Sequence, residues 1–174
     1  MKIRDVVIYT GKRFKVPQGI QRIDHLATHG WQLRYGGTKL FSDVTQTGRG
    51  ASLALAKATE ELLKRIARLP APTKLQDAPS ANKSTDLPVG IFGPISRLRA
   101  GSTVHHWSLS VSVPRFGDSP RRRTIYIGTD HTYTEQKYEL ALAKAMLMRE
   151  DAEEAYRTAA TRAKRRQSQV LRPK

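Results

Sequence analysis

The apolar positions of this chain change period several times, and each change predicts an element. Trp31 and Leu33 alternate with Gln32 and Arg34, the period of a strand with one buried face. Gly19, Ile20, Gln21, Arg22 and Ile23 read as a short extended segment before it. Tyr35-Gly36-Gly37 predicts a tight turn into a third strand, Thr38–Ser42. From Ala51 the period lengthens. Ala51, Leu55, Ala58, Leu62, Ile66 and Leu69 recur every three or four residues, a helical stripe, and Lys57, Lys64, Arg65 and Arg68 fall mostly off it. The succession then returns. Trp107, Leu109, Val111 and Val113 alternate with Ser108, Ser110 and Ser112. Thr124–Gly128 places Ile125 and Ile127 on one face. Tyr138, Ala141, Leu142, Ala145 and Met148 line a second helix, with Thr134 as its expected cap and Glu135 in its first turn. Upstream of all this, 3–16 predicts an added hairpin turning at Thr10-Gly11, which would extend the first sheet.

The return is also visible as words. LALAKA stands at 53–58 and again at 140–145, VPQGI at 16–20 answers LPVGI at 87–91, WQLRY answers WSLSV, and TKLFSD answers TIYIGT. Ala, Leu and Lys are good helix formers, so the hexapeptide alone is weak. Four matches in one order point to two copies of one unit. The second copy is longer, and VPRFGDSPRRR at 113–123 reads as an inserted loop. Between the copies, PAPTKLQDAPSANKSTD at 70–86 has the composition of a linker, with an r.m.s. span of about 20–25 Å. The expected fold class is therefore α+β: two tandem units, each a three-stranded antiparallel sheet packed on one α-helix, joined by a flexible linker. Unit 1 with its N-terminal hairpin spans 1–69, the linker 70–86, unit 2 with a long helix 87–156, and a basic tail 157–174. The helix is expected to fray beyond about residue 165. Ala152, Ala155, Ala159 and Ala163 form a weak stripe through which the chain would self-associate.

Charge narrows the partner. The net charge is +16 over 174 residues, shared between the two halves while the linker is neutral. Such an excess favours a polyanion, because each phosphate contact releases condensed counterions. A membrane surface would need an apolar face on a basic helix, and the second helix offers mostly alanine. There is no cysteine, so no disulfide or thiolate site. No signal peptide or spanning segment is read, and the expected location is cytoplasmic, at the nucleoid.

TIYIGT followed by TYTEQKYELALAKA resembles the third strand, Gly-Thr and Ala-rich helix of the AP2/ERF DNA-binding family. KLFSDVTQTGRGASLALAKATEELL is similar to the bacterial and phage AP2 type, and the Gly-Ile near each start is similar to the family's Gly-Val. The resemblance covers roughly 16–69 and 87–150. It implies that the open sheet face of each unit enters the major groove of duplex DNA. Strand alternation indicates the same side chains: Gln21, Gln32 and Arg34 with Thr38 or Lys39 in the first unit, and Ser108, Ser110, Thr124 and Tyr126 in the second. Arg grips guanine bidentately, Gln suits adenine, and Ser or Thr reads either loosely. The chain departs from the family in its first-strand arginines. Only Arg22 stands in the first copy, and Arg97 and Arg99 are expected in an expanded loop. Arg115, Arg121, Arg122 and Arg123 flank the long loop and are expected on phosphate, which adds affinity without sequence choice.

Catalysis is not expected. His25 and His29 fall in a hairpin rather than on a helix, and His105, His106 and His131 lack supporting carboxylates, so no metal site is expected. No His-Asn-His, Ser-His-Asp or phosphate-loop pattern occurs, and no cofactor is implied. The expected function is a non-enzymatic double-stranded DNA-binding protein, a transcriptional regulator or nucleoid-associated silencing protein. The alternatives are an architectural factor in recombination and an RNA- or ribosome-binding basic protein. Against RNA stands the lack of an aromatic pair recognisable on an exposed strand face.

Overall fold

The computed structural model describes residues 1–44, 47–79, 81–82 and 85–171. Thr45 and Gln46 of the third-strand-to-helix connection, Ser80, Lys83 and Ser84 of the expected linker, and Arg172, Pro173 and Lys174 of the expected tail lie outside the described residues.

The architecture is α+β, with antiparallel sheets of two, three and three strands and two α-helices. The chain separates into two compact units. One comprises Met1–Pro72 together with the segment from Ala160 onward, and the other is Thr73–Ala159.

In unit 1, β1 (Ile3–Val7) and β2 (Arg13–Pro17) form a hairpin that turns where Gly11 N donates to Ile8 O. β3 (Ile20–His25), β4 (Thr28–Arg34) and β5 (Thr38–Ser42) follow as a sheet in that order. α1 (Ala51–Arg68) lies on one side of that sheet. The hairpin does not extend the sheet; it is a separate two-stranded sheet. Gly19, at a φ of +101° that L side chains avoid, turns the chain between β2 and β3. Ile8, Val16 and the edge of Phe14 then join Ile20, Trp31 and Leu33 in one core under α1. Trp31 is fully buried, and its Nε1 donates to Ala51 O at 2.8 Å. Each fully buried Leu or Ile here contributes about 1.5–3 kcal/mol.

In unit 2, β6 (Ile91–Leu98), β7 (His105–Val113) and β8 (Arg121–Thr129) form the third sheet, and α2 (Glu135–Ser168) covers one face with its first turns. Thr134 caps α2 as expected, its Oγ1 accepting from Lys137 N at 3.2 Å. The core is Ile91, Leu109, Val111, Ile125 and Ile127 against Ala141 and Ala145.

The two LALAKA words do the same work in the two helices. The first and last alanines are buried in both, Ala54 and Ala58 in α1, Ala141 and Ala145 in α2. The first leucine points outward in both, Leu53 at 62% exposure and Leu140 at 65%. A small side chain at the contact lets the helix approach the sheet closely. The sheets share local geometry as well. Gly19 O accepts from Arg34 N at 2.7 Å, and Gly90 O accepts from Ser112 N at 2.7 Å. Asp43 N donates to His29 O, and Asp130 N donates to His105 O.

Three boundaries differ from expectation. β8 begins at Arg121, not Thr124, because Val113↔Arg121, Ser112↔Arg122 and Val111↔Arg123 continue the pairing. β6 runs to Leu98, so Arg97 is a strand residue opposite His106 rather than a loop residue. α2 is helical through Ser168 and closes in a 3₁₀ turn at Gln169–Leu171. Its final turns belong to unit 1: Thr161 Oγ1 accepts from Ala71 N at 3.0 Å, and Arg165 Nε reaches Ile66 O at 3.3 Å. In this stretch Ala160 is the buried alanine, while Ala155, one of the four expected in the self-association stripe, is exposed.

Candidate nucleic-acid interface

The side of each sheet away from its helix carries the candidate site. In unit 1 the register aligns Gln21, Gln32 and Leu40 in one row and Arg34 with Thr38 in the next. Alternation puts all five on the open face, since Trp31 and Leu33 between them point into the core. Arg34 Nε donates to Gln32 Oε1 at 2.6 Å, so the arginine and the glutamine present one joined polar edge. Gly30 continues this face with no side chain. A Cβ there would stand 2.4 Å from Phe41 O, so only glycine admits β5 at this spacing.

The register resolves the third-strand choice in favour of Thr38. Lys39 pairs with Leu33, on the helix side, where its Nζ lies 5.2 Å from the Phe41 ring. Arg22 is also on the helix side, opposite Trp31, and is not an open-face residue. Its guanidinium lies over the Trp31 ring at 4.9 Å and is held by Asp43 and Asp24. Burial opposes its charge, but the hydrogen bonds to Asp43 and Asp24 prevail, and its pKa is raised. The same bonds, with one from His29, overcome burial at Asp24 and lower its pKa. His29 stacks on Tyr9 and contacts Asp24 at 2.9 Å, a structural role.

In unit 2 the open face holds Phe92, Ser110 and Thr124 in one row, Ile95, Ser108 and Tyr126 in the next, then Arg97 opposite His106. Ser112 and Arg122 lie at the other end. Thr124 and Tyr126 are exposed and Ser110 half-buried, but Ser108 is closed off between Ile95 and Tyr126. The arginine cluster divides. Arg122 alternates onto the open face, whereas Arg121 and Arg123 share the side of Ile125. Arg115 is committed to Asp118 at 2.6 Å and Ser119 O. Arg99 lies just past β6 in the turn toward Ser102 and is exposed. Sequence reasoning missed Phe92, Ile95 and His106. A bulge between Phe92 and Ile95, around Gly93-Pro94, breaks the alternation that would have revealed the two β6 residues, whereas His106 simply continues the alternation of Ser108 and Ser110.

Beside this face, Asp130 collects three donors. Trp107 Nε1 donates to Oδ1 at 2.8 Å, and His105 N and Nδ1 meet Oδ2 at 2.9 and 3.0 Å. Led by the Trp107 bond, they hold the carboxyl at about 2. Among the described residues no group of three His, Cys, Asp or Glu is placed to hold a metal ion, and no helix is long and apolar enough to cross a membrane. No protein-family model, curated protein or solved structure matches this chain.

Proposed function

We propose that the chain is a non-enzymatic, double-stranded DNA-binding protein built from two AP2-like units, each a three-stranded sheet backed by one principal helix. The observation that carries this reading is the open face of the β3–β4–β5 sheet. It sets Gln21, Gln32, Arg34 and Thr38 side by side, opposite a face filled by α1. Arg and Gln are the side chains that grip guanine and adenine bidentately, and a twisted sheet can enter the major groove. A net charge of +16 supplies the sequence-independent attraction. The exposed Arg121, Arg122 and Arg123 add phosphate contacts from unit 2. The role that fits is a transcriptional regulator or a nucleoid-associated silencing protein.

Binding selection from sheared genomic DNA at near-physiological salt tests this. Recovery of a compact motif supports a regulator, and broad enrichment of AT-rich fragments supports a silencing protein reading groove shape. Retention no greater than that of a neutral control protein overturns the reading.

A further inference from the structure

We infer that the open face of the β6–β7–β8 sheet is a stacking platform for unpaired nucleobases on a single strand. The inference rests on the nucleic-acid reading above but goes beyond duplex binding. Three aromatic rings stand on this face: Phe92 on β6, His106 on β7 and Tyr126 on β8. Phe92 is 46% exposed and Tyr126 is 55% exposed, values out of keeping with core residues of a small domain. Tyr126 and His106 lean together with ring centroids 6.0 Å apart. Nδ1 of His106 is buried and is without a hydrogen-bond partner among the described residues. Phe92 lies across the central strand from Tyr126 and one row along. Strand spacing and rise put their Cα positions about 11–12 Å apart. Each can therefore take a base of its own, and only the small Ser108 and Ser110 lie between them.

The occupant follows from charge. Arg97 closes one end of the face and Arg122 the other, and neither is ion-paired to a described carboxylate. Exposed aromatics between exposed arginines on a sheet form a surface where bases stack and the phosphate chain is held at the rim. A protein partner would meet this positive rim without the compensation that a phosphate chain provides. The face of unit 1 differs, since its sizeable apolar side chains are Leu40 on β5 and Ile23 on β3, opposite Gly30, and neither is aromatic. The two units are thus suited to different states of nucleic acid.

The test compares fluorescence anisotropy of the full chain with four probes of equal length: oligothymidylate, oligouridylate, an abasic oligodeoxynucleotide and a duplex. The inference expects tighter binding to the base-bearing strands than to the abasic one. Tyr126→Ala should reduce that binding about 5- to 100-fold, while Tyr126→Phe retains it. Oligothymidylate and oligouridylate separate DNA from RNA as the natural source. Equal binding of abasic and base-bearing strands overturns the platform and leaves duplex recognition standing. So does an unchanged affinity in both Tyr126→Ala and Phe92→Ala. Failure to bind any probe overturns the nucleic-acid reading itself.

Discussion

Arg22 and Asp43, 21 residues apart in sequence, meet through two parallel hydrogen bonds, Nη1 to Oδ1 at 3.0 Å and Nη2 to Oδ2 at 2.6 Å. Both side chains are withdrawn from solvent, with 6% and 0% of their surface exposed. A buried pair of this kind is costly to break from one side, because the remaining charge has no water to return to. Arg22→Ala should lower the free energy of unfolding by about 3–5 kcal/mol. The double variant Arg22→Met, Asp43→Leu should recover most of that loss. Urea denaturation of the three proteins decides it, and a single-variant loss under about 1 kcal/mol would contradict the geometry.

Gly30 makes a second stability prediction, of steric origin. Its missing side chain leaves room for Phe41 O, which an added Cβ would meet at 2.4 Å. Gly30→Ala should cost about 1–3 kcal/mol by pushing β5 from β4. Thermal unfolding should show the loss. Gly11→Ala, where nothing lies within 4 Å, separates crowding from the penalty of positive φ.

On the proposed recognition face, Arg34 is the side chain with most to lose. Arg34→Ala should change the recovered sequence preference and weaken discrimination at one base by about 1–3 kcal/mol. Selection with the variant measures it. An unaltered motif would remove Arg34 from base reading.

The cluster at the start of β8 should behave differently. Replacing Arg121, Arg122 and Arg123 with glutamine should weaken binding evenly across sequences. It should also lower the slope of log affinity against log salt by about one for each arginine on phosphate. Arg122 alone faces the open side. A single Arg122→Gln change that leaves the slope intact would take the open face of unit 2 off the phosphate path.

Asp130 sets a pH expectation. Its carboxyl titrates at about 2 in the fold, below the ordinary 3.8. The stabilisation from its three donors is complete above the unfolded value and is lost as pH falls through about 2. The carboxyl carbon shift followed by NMR should therefore show a midpoint near 2. In Trp107→Phe, which removes the leading donor, the midpoint should rise toward 3.8.

Local patterns survived folding well. The alternation around Trp31 placed Gln32 and Arg34 on the open face, and the helical period placed Ala58 and Ala145 against their sheets. What failed depended on distant partners or broken periods. Arg22 alternates like an inward residue, and Asp43, brought in from beyond β5, joins Asp24 in making an inward arginine tolerable. Lys39 and Thr38 are neighbours on one strand, and which of them faces outward is decided by pairing with Leu33 and Arg34. Phe92, and the place of Arg97 on a strand rather than in a loop, were hidden by the bulge at Gly93-Pro94, which shifts the period in mid-strand. The basic end of α2 carries no local sign that Arg165 will reach a carbonyl 99 residues earlier.

That last contact orders events on the ribosome. Synthesis runs from the N-terminal side, so every residue of unit 2 has been made before Ala160, Thr161 and Arg165 exist to complete unit 1. Through the synthesis of unit 2, Ala71 N and Ile66 O are without the partners that the fold gives them in Thr161 and Arg165. The unit begun first is the one closed last.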